Sequence, residues 1–150
     1  MAHASQRRRT LADVSRFTPF LLFVGQQCGR AEEAIEFYTS IFKNSHINHI
    51  ERYGAGEAPD AEGTVKHASF SLDGQEFMAL DSALGHQFTF TPAVSIFVRC
   101  KTEAEIDELF ARLSHGGQEL MPLGRYPFSE TYGWLNDRFG VSWQLSFNQG

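Results

Sequence analysis

Cysteine is nearly absent: Cys28 and Cys100 are the only two in 150 residues, too few for a disulfide framework and too far apart for a metal knuckle. A cytoplasmic chain with reduced thiols is therefore the expectation. Basic residues are the minority charge, 13 against 18 acidic, and the net charge of −5 leaves no broad cationic face for nucleic acid or anionic lipid. Long apolar runs are missing too. The longest, residues 17–24, is interrupted by Thr18 and Pro19 and falls far short of the roughly 20 residues that span a bilayer. Neither nucleic acid nor a membrane is an expected partner.

What the chain does have is apolar and aromatic mass. At 42% apolar and 13% aromatic residues, with 14 Phe, it predicts one globular domain around a Phe-rich core. The charge is uneven, since residues 1–16 carry +3 and the remainder −8. Residues 1–16 lack the apolar stretch and small-residue cleavage site of a secretory signal, so they are expected to be a disordered basic extension ahead of a domain over 17–150. Cys28 falls in a predicted loop with no local base and is not expected to be a nucleophile.

Along the domain, Phe17 to Val24 reads as a buried strand. Residues 30–43 read as a helix with Ala31, Ala34, Ile35, Tyr38, Ile41 and Phe42 at three- and four-residue spacing. His46 to Tyr53 is a short strand, followed by a Gly-, Pro- and acid-rich loop. Val65 to Leu72 and Gln75 to Asp81 are two strands joined by the turn dipeptide Asp73-Gly74. After a loop that carries His86, the order repeats. Ala93 to Cys100 is a strand, and Thr102 with Glu105 has capping-box spacing for a helix that stops at Gly116-Gly117. A short strand is expected at 119–121, a loop at 122–131, and a final hairpin from Tyr132 to Phe147 turning at Asp137 to Gly140. Residues 17–81 and 93–147 thus each read strand, helix, strand, strand, strand, a duplication in pattern.

Several segments carry a family likeness: Thr18-Pro19-Phe20-Leu21; Glu32-Glu33-Ala34 with Phe37-Tyr38; Leu72 to Leu80; and Tyr132 to Gln144. With them the chain resembles the vicinal oxygen chelate, or glyoxalase/bleomycin-resistance, superfamily, and within it the PhnB-like branch labelled 3-demethylubiquinone methyltransferase-like. The resemblance implies an α+β fold of two βαβββ modules in a curved mixed sheet, helices on its convex side, a cavity on its concave side and a homodimer. It does not imply one reaction. The label's methyl transfer finds no support in the residues, because no glycine-rich strand-to-helix loop suits a nucleotide-like cofactor, and none is expected.

Members with metal chemistry hold a divalent ion on four strands. The positions that the strand motifs carry over are Pro19, Ala79, Ala93 and Gln144, of which only the last has a side-chain donor. No metal is expected at them. A different metal set would have to draw on His67, Asp81, His86 and Glu130.

If Ala68, Phe70, Met78, Leu80, Val141, Trp143 and Leu145 pack under the helices, alternation sends the other residues to the concave face. Asp81 and His67 are then the candidate acid–base pair. Leu21, Phe23, Ser69, Phe77, Ala79, Ser95, Phe97, Ser142 and Gln144 would line the cavity, with Trp134 at its mouth. Three functions stay open on these residues. The leading one is metal-independent binding of a small, partly apolar molecule. The others are an enzyme of the superfamily using His67 and Asp81, and a mainly dimeric interaction domain.

Overall fold

The computed structural model describes residues 15–150, so residues 1–14 of the expected basic extension lie outside the described residues. The first module consists of β1 (Phe20–Val24), α1 (Ala31–Ile41), β2 (His46–Arg52), β3 (Val65–Leu72) and β4 (Gln75–Ser82). The second consists of β5 (Ser95–Arg99), α2 (Glu103–Ser114), β6 (Gln118–Tyr126), β7 (Ser129–Asn136) and β8 (Ser142–Phe147). Each module folds a four-stranded mixed sheet, in the orders β1-β4-β3-β2 and β5-β8-β7-β6. β1 runs parallel to β4 and β5 to β8, and the remaining pairs are antiparallel.

Strand β6 is longer than the expected 119–121 and takes up the first half of the predicted loop, while β7 starts within its second half. Its pairing with β7 shifts register on both sides of Met121 and again after Gly124, and such bulges let a strand continue past Pro122.

The facing of β4 is set by the hairpin before it. Asp73 and Gly74 have φ of 47° and 86°, the left-handed pair of a two-residue turn, and Leu72 is therefore opposite Gln75. Counting back from that pair puts Phe70 opposite Phe77 and Ala68 opposite Ala79. Paired residues share a face, so Phe77, Ala79 and Asp81 join Ala68 and Phe70 beneath α1. Met78 and Leu80, expected in the core, are on the face away from the helices and only half-buried. Parallel pairing extends the pattern to β1, where Leu21 and Phe23 lie opposite Ala79 and Asp81 on the helix side.

The α1 stripe packs through Ala31, Ala34, Ile35 and Tyr38, all buried. Its N-terminus has no local side-chain cap. Instead the Asp81 carboxylate accepts from the amides of Gly29 (2.7 Å) and Ala31 (3.2 Å) through one oxygen, and from Val65 (2.9 Å) through the other. A carboxylate there meets both the free amides and the positive end of the helix dipole. α2 is capped as expected, with Thr102 Oγ1 accepting from the Glu105 amide at 3.0 Å. It lies close on its sheet because β7 has Gly133 beneath it: a Cβ there would come within 2.4 Å of Phe110.

A second buried carboxylate joins the modules. Asp137, in the β7–β8 turn, accepts from the Tyr38 hydroxyl of α1, from Trp143 Nε1 (2.9 Å) and from the amides of Phe139 (2.9 Å) and Val141 (3.0 Å). Phe139 of the same turn is fully buried, with edge-on ring contacts to Phe23 and Tyr38 and a tilted one to Phe37. The second module's turn thus fills the space beside α1 in the first.

Candidate functional site

Register divides the expected site residues between two faces. Leu21, Phe23, Phe77, Ala79 and Asp81 are on the helix side. Phe23, Ala79 and Asp81 are fully buried there, so the expected concave facing is corrected for these five. Asp81 holds the start of α1 with both oxygens and is separated by its own sheet from His67, which faces the other way opposite Glu51. The proposed acid–base pair is not brought together. His67, Ser69, Ser95, Phe97, Trp134, Ser142 and Gln144 do occupy the helix-free faces.

On the first sheet that face presents Phe20 and Leu22 from β1, Glu76, Met78 and Leu80 from β4, and His67, Ser69 and Ser71 from β3. Glu76 is buried, and its carboxylate accepts from Ser69 Oγ (3.0 Å) and Thr18 Oγ1 (3.4 Å). Asn48, turned onto this face by a bulge in β2, donates to the hydroxyls of Ser69 (3.0 Å) and Ser71 (3.1 Å). His49 Nε2 and His67 Nδ1 share a hydrogen bond at 3.0 Å, and the Phe20 ring lies 5.8 Å from that of His67.

The second sheet presents Ser95 and Phe97, then Ser142 and Gln144, then Tyr132, Trp134 and Asn136. Trp134 Nε1 donates to Ser142 Oγ (2.9 Å), which also bonds Ser95 Oγ (2.8 Å). Two hydroxyls in one mutual bond use one proton, so the pair keeps a second O–H to donate. Tyr132 donates to Gln144 Oε1 at 2.6 Å, leaving the Gln144 amide NH₂ without a protein acceptor among the described residues. Asn136 Oδ1 is buried and has no partner among the described residues. This face therefore holds unused donors and an unused acceptor beside Phe97, which is 46% exposed.

Sequence reasoning missed Phe20, Asn48, Glu76, Met78, Tyr132 and Asn136. The two-residue turn was a sufficient signal for Glu76 and Met78, and through β1 pairing for Phe20. Nothing local announces the bulge that turns Asn48.

Donor chemistry bears on whether this face could hold a metal. Across β1, β4, β5 and β8 the helix-free face offers one carboxylate, Glu76, with neutral hydroxyls and one amide, while Ala79 points into the core. A divalent ion needs more hard or imidazole donors than these. Among the described residues no group of three or more His, Cys, Asp or Glu side chains is placed to hold a metal. The alternative set is scattered: His86 bonds Ser82 Oγ at 2.8 Å, and the Glu130 carboxylate accepts from the Gln149 amide.

Neither thiol is activated. Burial, with the carboxylates of Asp81 and Asp60 adding to it, raises the Cys28 pKa, and burial with Glu105 nearby pushes Cys100 up to about 12. Iodoacetamide at neutral pH is expected to modify Cys28 slowly and Cys100 only after denaturation, read by mass spectrometry. Rapid native labelling of Cys100 would contradict its burial.

With the geometry in place, comparison with known proteins supplies relatives. The family described as 3-demethylubiquinone-9 3-methyltransferase matches residues 15–146. The PhnB protein of Bacillus cereus is 54% identical, with a TM-score of 0.83 over 89% of this chain and 100% of that one. A protein from Pseudomonas aeruginosa is 25% identical, with a TM-score of 0.77 over 91% of this chain and 100% of that one. A glyoxalase/bleomycin resistance protein from Albidiferax ferrireducens shares the fold at 14% identity, with a TM-score of 0.54 over 90% of this chain and 100% of that one. Among curated proteins nothing matches. No helix among the described residues is long and apolar enough to cross a membrane.

Proposed function

The chain belongs to the 3-demethylubiquinone-9 3-methyltransferase family, in its PhnB branch of the glyoxalase-like superfamily, and on that premise we propose that it is a metal-independent small-molecule-binding protein acting as a homodimer. One observation carries the reading: unused hydrogen-bonding groups stand beside half-exposed aromatic rings on the helix-free face of the second sheet. Small-molecule sites have this composition, an apolar wall with a few fixed polar groups. The hydroxyl pair Ser95–Ser142 and the Gln144 amide donate to carbonyl or carboxylate oxygens of the ligand. Phe97 and Trp134 cover its apolar part, while His67 and Ser69 complete the polar wall on the first sheet.

A second copy supplies the enclosure that one chain lacks. β1 and β5 each pair along one edge only, and Phe20 and Phe97 on these strands are 41% and 46% exposed. Open edges flanked by exposed rings invite a partner. Sedimentation velocity is expected to show a dimer that the double variant Phe20→Glu, Phe97→Glu converts to monomer. A wild-type monomer at micromolar concentration would contradict the homodimer.

The binding claim is tested by melting chelator-treated protein against a panel of small metabolites and, separately, divalent ions. The expected result is stabilisation by a partly apolar, oxygen-bearing molecule that is lost in Gln144→Ala with Ser95→Ala. Stabilisation by divalent ions alone would overturn the reading.

A further inference from the structure

The two modules repeat one pattern, and the places where the repeat fails are informative. In the second module the β7–β8 connection spans residues 137–141 and brings Phe139 against β1 and α1. Arg30 and Arg138 lie over that ring, at 4.5 Å and 4.8 Å from its centroid. In the first module the corresponding β3–β4 connection is only Asp73-Gly74 and carries no aromatic residue. The equivalent space, between the β3–β4 turn and the β5–α2 segment, is left open as a groove of about 990 Å³.

Its walls reproduce the filled site. Ile96 and Val98 of β5 and Phe42 after α1 are half-buried at the groove, above the buried rings of Phe77 and Trp143. Cations stand at its rim, as Arg30 and Arg138 do at the other: Lys43, Arg99, Lys101 and Arg112 line it, and none is in an ion pair among the described residues. Asp73, Glu105 and Glu108 share the rim, leaving its balance one charge positive.

We propose that this groove is a second ligand site, on the helix side of the sheets, for a small aromatic carboxylate whose ring takes the place of the missing Phe139 equivalent. The ring settles over Ile96 and Val98 toward Trp143, where it is sheltered as Phe139 is by α1. The carboxylate stays at the rim, within reach of Lys101 and Arg112. The floor of the groove, at Phe77 and Trp143, is on the helix side of the sheets, and the groove meets the helix-free face at Phe97 and Arg99 on the β5 edge; it stands whether or not Ser95, Ser142 and Gln144 bind a metabolite.

Phenylacetate has the required ring and charge, and phenylacetamide is its neutral counterpart. Methyl-labelled protein titrated with phenylacetate is expected to show saturable shifts at Ile96, Val98 and Leu109, with Met78 and Leu80 on the opposite face unmoved. Phenylacetamide is expected to bind about threefold more weakly, the size of an exposed ion-pair contribution. The exposed double substitution Lys101→Gln, Arg112→Gln should remove that difference, and Ala104→Phe, which puts a ring into the groove, should abolish binding. The proposal is overturned if Ile96 and Val98 do not shift, if acid and amide bind equally to the wild type, or if the same methyls shift with protein concentration alone, because the groove is then covered by a second copy.

Discussion

Replacing Asp137 with alanine is expected to destabilise the protein by about 3–5 kcal/mol, measured by urea unfolding. The carboxylate is buried and takes four hydrogen bonds, from Tyr38, Trp143, Phe139 and Val141. Its removal strands two side-chain donors and two amides, and it unties the turn that holds Phe139 against α1. Each stranded donor alone costs about 1–3 kcal/mol, so the total reflects partial rescue by water rather than a sum. A loss below about 1 kcal/mol would mean that the modules do not depend on this contact.

The pH dependence has a definite sign. Burial pushes the Asp137 carboxyl above its ordinary value of 3.8, against the opposing pull of its donors. A folded pKa above the unfolded one means that the native state binds the proton more tightly. That contribution is complete below the unfolded pKa and disappears as pH rises through the folded value. The stability gap between wild type and Asp137→Ala is therefore expected to be widest in acid and to narrow as pH rises above the ordinary carboxyl range. Surface pairs such as Arg52–Glu32 act oppositely, since Glu32 is held below its usual range by Arg52, and they cancel in the difference.

Asp81→Asn is expected to cost about 2–4 kcal/mol. Oδ1 accepts from Gly29 and Ala31 and Oδ2 from Val65, so either orientation of an asparagine sets its NH₂ against a backbone N–H. The result is a buried donor facing a donor, at the N-terminus of α1. Because Asp81 lies beneath the sheet, the affinity of a ligand on the helix-free face should be unchanged wherever the variant is folded. Loss of binding without loss of stability would return Asp81 to the site.

Most of the architecture was readable because its signals are local. The stripe of α1, the Thr102 cap and the Asp73-Gly74 turn each need a few neighbouring residues, and the order of elements then exposes the duplication. The facing of β4 is legible too, but only when the alternation of β3 is counted through the turn into β4. A two-residue turn pairs an even-numbered β3 residue with an odd-numbered β4 residue, which puts Phe77 with Phe70 and sends Glu76 and Met78 outward. By contrast, Asp81 as the cap of α1 and Asp137 as the tie between modules join residues 50 and 99 positions apart in sequence. No periodicity encodes such pairs. An aspartate next to strand residues reads the same whether it will face solvent, a substrate or the amides of a distant helix.

The central claim is that the helix-free faces bind a small molecule without metal. It is tested most directly by titrating chelator-treated, methyl-labelled protein with the most stabilising metabolite while following Met78, Leu80 and the Trp134 indole. Saturable shifts at these three, with the core methyls of Ile35 and Leu113 unmoved, are the predicted result. Shifts confined to Ile96 and Val98, or shifts that appear only when a divalent ion is restored, would contradict it.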